Sequence, residues 1–267
     1  MSAQPPALVA KDLTKTYDDL VALQPMSITV PSGQSMALIG HNGSGKSTFL
    51  RMVAGLLDAS GGEIEIAGFE LSDVEARATT SFLPDDPVLY DDLSLREHAE
   101  YISKLHGGDG WDDYAESLCV RLGLEERIDD LPSRFSRGLR QKTAIVLALV
   151  RPFSLLLVDE PFVGLDQPGK LVLLELLAEV DHPDLTAIGQ TPPPAQVGRD
   201  GRLTSMGDLG RARRRHGCIV EPRGLQGDRC DRPVASSSVQ GRPGRDPPKV
   251  SRRRGGGLRR RWPCRRR

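Results

Sequence analysis

Two short stretches of the 267-residue chain carry residue types whose spacing has a chemical meaning. Residues 40–48 read Gly40-His41-Asn42-Gly43-Ser44-Gly45-Lys46-Ser47-Thr48. This is a full match to G-x-x-x-x-G-K-[ST], a loop that wraps phosphate groups. The glycines let successive backbone N–H groups turn inward on an anion without side-chain clash. A helix starting at the loop points its positive end at the same anion. Lys46 supplies a point charge to β- and γ-phosphates, and Ser47 a hydroxyl to Mg²⁺. The chemistry is that of ATP with Mg²⁺. The second stretch, Leu155-Leu156-Leu157-Val158-Asp159-Glu160, is an apolar run ending in two carboxylates. In phosphoryl transfer on such a loop, the first acid holds Mg²⁺ and the second orients or deprotonates the attacking water.

The bland alternatives are a glycine-rich turn and a solvated acid pair. The flanking elements argue against both. An apolar strand is predicted over Ser35–Ile39, directly before Gly40, and helical periodicity runs over Ser47–Leu57 directly after the loop. Leu155–Val158 reads as a buried strand that delivers Asp159 and Glu160 at its end. Further strands are predicted at Leu8–Ala10, Met26–Val30 and Glu63–Ile66. Ser94 and Glu97 form S-x-x-E, a capping box that opens a helix reaching about His106. Trp111–Leu122, Arg137–Val150 and Gly169–Val180 are three more helices. This order predicts an α/β core with a small β layer and a helical insertion.

The ordered set of these features resembles the nucleotide-binding domain of ABC transporters over about residues 7–188. Phe135-Ser136-Arg137-Gly138-Leu139-Arg140-Gln141 is similar to that family's signature sequence, with Ser136 and Gly138 retained and Phe135, Arg137 and Leu139 departing. Gly164-Leu165-Asp166 is similar to its D-loop. Tyr17 stands where the family places an aromatic that stacks on adenine, although a tyrosine in a β layer is ordinarily core. The resemblance implies a P-loop NTPase core, an antiparallel β layer and a helical subdomain at about 88–150. It implies nucleotide contacts from Tyr17, from Gly40, His41, Asn42, Gly43, Ser44, Gly45, Lys46, Ser47 and Thr48, and from Ser136 and Gly138 across a homo- or heterodimer. Lys46 and Glu160 are the implied catalytic residues, and Ser47 and Asp159 the metal ligands. It also implies a membrane-spanning partner subunit and a place at the cytoplasmic face of the membrane.

Two departures bear on activity. Where the family carries a glutamine at the hinge to the helical subdomain, this chain has Asp85, after Phe82-Leu83-Pro84. A carboxylate can still approach Mg²⁺; an acidic surface turn between Pro84 and Pro87 is the equal alternative. After the last helix the family has a strand and then a histidine on the γ-phosphate. Leu185–Ile188 begins such a strand, but no histidine follows it closely, so no switch histidine is assigned. ATP binding is expected to survive this loss better than hydrolysis.

Composition divides the chain near the same point. Residues 1–190 hold 15 Lys/Arg against 30 Asp/Glu, and residues 191–267 hold 21 against 6. The second stretch contains 20 Arg, 12 Gly and 9 Pro, so residues 189–267 are expected to lack regular structure. Out-of-frame translation of GC-rich DNA yields this composition; recovery of a strand plus histidine in another frame of the gene would show it. A basic arm for nucleic acid or acidic lipid is the competing reading, and with it a soluble ribosome- or DNA-associated ATPase. An inactive remnant of a transporter gene is a third. Cys119, alone before residue 190, is expected to be a small buried residue. The other cysteines show no metal spacing. The N-terminus lacks signal-peptide character, and no apolar run approaches the ~20 residues of a membrane span.

Overall fold

The computed structural model describes residues 4–108, 110–180, 185–190 and 218–220. All of these fall within one compact unit, Met1–Asp228; the remaining unit, Arg229–Arg267, lies outside the described residues.

Two sheets form the frame. The first is antiparallel, in the order β2 (Leu20–Val30), β1 (Leu8–Tyr17), β4 (Gly61–Ile66), β5 (Phe69–Glu70). The second is parallel, in the order β6 (Thr80–Leu83), β7 (Leu155–Val158), β8 (Thr186–Gln190), β3 (Met36–Leu38), β9 (Cys218–Val220). Helix α1 (Lys46–Val53) follows β3, and α2 (Val74–Thr79) leads into β6. Helices α3 (Leu95–Leu105), α4 (Trp111–Leu122) and α5 (Arg137–Val150) form the helical insertion, and α6 (Gln167–Val180) lies between β7 and β8.

β7 is buried on both faces, and its alternation assigns them. Leu155 and Leu157 join a cluster with α1 and the antiparallel layer, including Phe49, Met52, Leu8 and Ile66. Leu156 and Val158 join a second cluster with α3–α6, including Leu95, Leu118, Ile145 and Leu173. Period-two side-chain alternation thus welds two cores to one sheet. Burying each leucine there contributes about 2 kcal/mol, so both halves depend on the strand that ends in Asp159.

Local signals account for the element boundaries. The capping box at α3 is formed: Ser94 Oγ accepts from Glu97 N at 3.3 Å, and Ser94 N donates to Glu97 Oε2 at 2.7 Å. β1 and β2 are longer than their expected cores because they pair as a hairpin from Leu8↔Val30 to Tyr17↔Leu20, with register shifts between Ala10 and Thr16. Helix α1 stops at Val53, short of the expected Leu57, since Gly55 takes a left-handed φ of 70° and Leu56 N closes back on Arg51 O at 2.9 Å. Cys119 is buried, as expected.

The region after residue 188 departs from the expectation of no regular structure in two places. β8 continues through Gly189 and Gln190, and the apolar triplet Cys218–Val220 forms a strand parallel to β3, with Met36 opposite Cys218. Both are short, β-compatible segments that gain a ladder only by docking beside β3, which no local periodicity announces. β3 is therefore an interior strand rather than an exposed edge. The rest of residues 191–267, with the frame-shift and basic-arm readings attached to it, lies outside the described residues.

Candidate functional site

The carboxyl ends of β3, β8 and β7 lie side by side, with Leu38 opposite Gln190 and Val158 opposite Gly189. In an open parallel sheet this is where ligands bind. The loop 40–45 leaves β3 here and enters α1. Gly45 caps the helix at φ 90°, with no side-chain cap, so the first-turn N–H groups are not claimed by a capping side chain. A Cβ on Gly45 would sit 2.7 Å from Ala22 O and 2.8 Å from Leu23 Cδ1, so the loop packs against β2 only because this residue has none. Gly43, at φ 79°, turns the loop the same way, and Ser44 N donates to His41 O at 3.1 Å.

Lys46 is buried and folds back over the loop, where Nζ donates to Gly40 O at 2.9 Å and His41 O at 3.0 Å. The ammonium is thus held at the rim of the cradle by two carbonyls, partners that an anion can replace. Ser47, the second residue of α1, donates from Oγ to Asp159 Oδ1 at 3.1 Å. This bond joins residues 112 apart in sequence. It puts the acid at the end of β7 against the phosphate loop, as the sequence reading requires.

Asp159 is fully buried, and its Oδ2 has no hydrogen-bond partner among the described residues. Burial pushes its carboxyl above the usual carboxylate range; the Ser47 hydroxyl and Arg51 oppose the shift, while Glu160 and Asp85 add to it. Ser44 Oγ is likewise buried without a partner among the described residues. Two orphaned polar atoms in one cradle mark a place where a ligand completes the hydrogen bonding. A hard cation suits the donor set of one hydroxyl and one carboxylate, and Mg²⁺ commonly takes only one or two protein oxygens, filling its other positions with phosphate and water. Glu160 follows at φ 43°, a left-handed conformation costly for a residue with a Cβ, and its side chain is exposed.

The signature segment opens α5. Ser136 is its N-cap and accepts from Leu139 N at 3.3 Å. Gly138 lies against the D-loop, where a Cβ would stand 2.7 Å from Gly164 O. Arg137 reaches the hinge, and its Nη2 pairs with Asp85 Oδ1 at 3.5 Å. Gln141, buried one turn on, donates to Pro84 O at 3.3 Å. Asp85 is thus tied to α5, and its charge is also felt at Asp159. Tyr17 ends β1 with 47% of its surface exposed, so it is not core; Lys15 Nζ lies 4.9 Å from its ring centroid.

Gln190 is the site residue that the sequence reading passed over. It is buried, and its Nε2 donates to Ser47 Oγ at 2.9 Å and also to Asp159 Oδ1. The signal available in the sequence was weak: a polar residue closing the apolar run Leu185–Ile188.

This constellation defines a class, and comparison with known proteins agrees with it. The sequence model of the ABC transporter family matches residues 23–163. The chain belongs to that family. It is 36% identical over 176 residues to the ABC-type transporter ATP-binding protein EcsA of Bacillus subtilis, covering 64% of this chain and 71% of that protein. Over 187 residues it is 32% identical to the ABC transporter ATP-binding protein NatA of the same organism, covering 66% and 76%. A solved ATP-binding subunit of an ABC transporter superposes with a TM-score of 0.66 at 31% identity, covering 77% of this chain and 92% of that one. The protein is an ATP-binding, ATP-hydrolysing subunit of the ABC transporter type, a kind that partners with membrane transporter components. Among the described residues, no helix is long and apolar enough to cross a membrane.

Proposed function

We propose that the chain binds ATP with Mg²⁺ in the cradle 40–48 and hydrolyses it in a dimer, homo- or heteromeric, at the cytoplasmic face of the membrane. The observation that carries this reading is the 3.1 Å bond between Ser47 and Asp159, which unites the phosphate loop with the acid pair. Backbone N–H groups of the loop and the start of α1 receive the phosphates. Lys46 exchanges its two carbonyl partners for phosphate oxygens and neutralises their charge. Ser47 Oγ and the Asp159 carboxylate would hold Mg²⁺, which would supply positive charge against the phosphates. Glu160 accepts the proton of the attacking water. Tyr17 offers an exposed ring to the adenine. Ser136 and Gly138 complete the site of the opposite subunit, the Ser136-capped start of α5 facing phosphate. Asp85, paired with Arg137, couples the hinge to that helix and is the remaining candidate for metal sensing.

An apolar groove of about 730 Å³ supports the membrane partner. Leu56, Leu71, Val88 and Leu89 line it beside Arg77 and Arg151. Val88 is 95% exposed, and Arg151 Nη2 donates to Arg77 O and Ala78 O while its buried Nε has no partner among the described residues. An apolar segment of the membrane subunit carrying an acidic side chain fits this chemistry.

Replacing Glu160 tests the mechanism. Glu160→Gln keeps ATP binding, measured by calorimetry, and slows turnover about 1,000-fold. Unchanged turnover would remove the proton-accepting role from Glu160.

A further inference from the structure

Three groups, one from the start of α1 and two from the ends of β7 and β8, meet in a closed triangle. The Ser47 hydroxyl donates to Asp159 Oδ1 at 3.1 Å, and the Gln190 carboxamide donates to Ser47 Oγ at 2.9 Å and to Asp159 Oδ1. Gln190 is only 2% exposed, so water does not compete for these contacts. The hydroxyl and carboxylate are the two groups assigned above to Mg²⁺. An amide N–H is acceptor-seeking, as a cation is, and on Ser47 Oγ it takes up a lone pair that a bound cation would use. One lone pair serves one or the other. Asp159, fully buried and with no partner for Oδ2 among the described residues, would be poorly compensated without such a donor.

We propose that Gln190 is a positioning residue that keeps the cation's place in the nucleotide-free site: its carboxamide cross-ties Ser47 and Asp159, yields to Mg²⁺, and so sets the Mg²⁺ concentration at which ATP binds. The proposal rests on the reading of Ser47 and Asp159 as the metal pair. It gives a direction. Removing the donor raises the free energy of the metal-free state and removes a competitor from the metal-loaded one. The Mg²⁺ requirement therefore falls. A hydrogen bond to a charged group corresponds to roughly a 10-fold effect.

The test is calorimetric titration of ATP into the full-length chain across a series of Mg²⁺ concentrations, paired with thermal melts of the free and Mg²⁺·ATP-loaded protein. Gln190→Met keeps the length of the side chain and deletes the donor. Its half-saturating Mg²⁺ concentration is expected to fall about 10-fold. Its free-state Tm is expected to drop, and the rise in Tm on loading to grow. Gln190→Asn, one methylene shorter, shifts both in the same direction by less, and it carries the comparison if the methionine variant does not fold. An unchanged or increased Mg²⁺ requirement overturns the proposal, as does an equal loss of Tm in free and loaded protein, which a merely structural residue would give. Wild-type protein that binds ATP with no dependence on Mg²⁺ removes the metal-pair reading and this inference with it. Normal Mg²⁺ dependence in the wild type with no shift in the variants removes the inference alone.

Discussion

At the carboxyl ends of β3, β7 and β8 the polar groups are buried and bonded to one another; at the start of α5 the charged ones stand in solvent. Lys46, Asp159 and Gln190 are each under 10% exposed. The Arg137 side chain is 63% exposed and makes one loose pair with Asp85. The first region is complete within one chain except for its ligand. The second holds a shape, through the contact of Gly138 with Gly164, but leaves its surface charges open to another molecule. In a low-dielectric cradle each charge is strongly coupled to its neighbours, whereas water screens the exposed segment. One region is therefore enclosed and strongly coupled, the other open and screened.

The contrast can be broken most forcefully at Lys46. Lys46→Ala is expected to weaken ATP binding about 100-fold, because two or more charge-assisted hydrogen bonds to phosphate are lost in a buried setting. Calorimetry checks this, and a loss under threefold would mean that the cradle does not depend on its cation. On the other side, shape is the vulnerable quantity. Gly138→Ala forces a Cβ to 2.7 Å from Gly164 O and is expected to cost about 2 kcal/mol in urea unfolding. Wild-type stability in that variant would show that α5 and the D-loop separate freely.

Smaller effects sharpen the comparison. The open surface of the helical half covers a closed interior, where burial pushes the Cys119 thiol up to about 11. The folded chain thus holds this proton above the ordinary thiol value of 9.0. Its contribution to stability is complete below that value and is lost as pH rises through the window toward about 11. Peptide mapping after iodoacetamide treatment at pH 8 is expected to find Cys119 unlabelled in the native chain and labelled in urea. The smallest effect belongs to the exposed pair: Arg137→Ala is expected to change stability by less than about 0.5 kcal/mol. A larger loss would mean that the hinge is held by this contact rather than by Gln141 on Pro84 O.

Much of the site was legible because its parts are local. Nine consecutive residues spell the phosphate loop, and Ser94 and Glu97 spell the cap of α3. Leu155–Glu160 spells a buried strand with an acidic end. Other features were not legible. Asp85 reads equally as a metal-capable carboxylate and as part of an acidic surface turn, and its contact with Arg137, 52 residues away, shows only in the fold. Tyr17 reads in sequence as an adenine-stacking candidate with core as its alternative, and only the fold shows it on the last residue of β1, exposed. Cys218–Val220 sits in an arginine-rich stretch and becomes a strand only beside β3.

The sequence by itself determined the chemistry on offer: glycines and a lysine for phosphate, a hydroxyl and two carboxylates for metal and water, and the strands and helices that carry them. These follow from neighbouring residues, since backbone freedom, capping and periodicity act over a few positions. Only the tertiary structure decided that Ser47, Asp159 and Gln190 share one buried point. That convergence is set by β8 threading between β7 and β3, an order fixed by packing two cores against one sheet, and no stretch of local sequence encodes it.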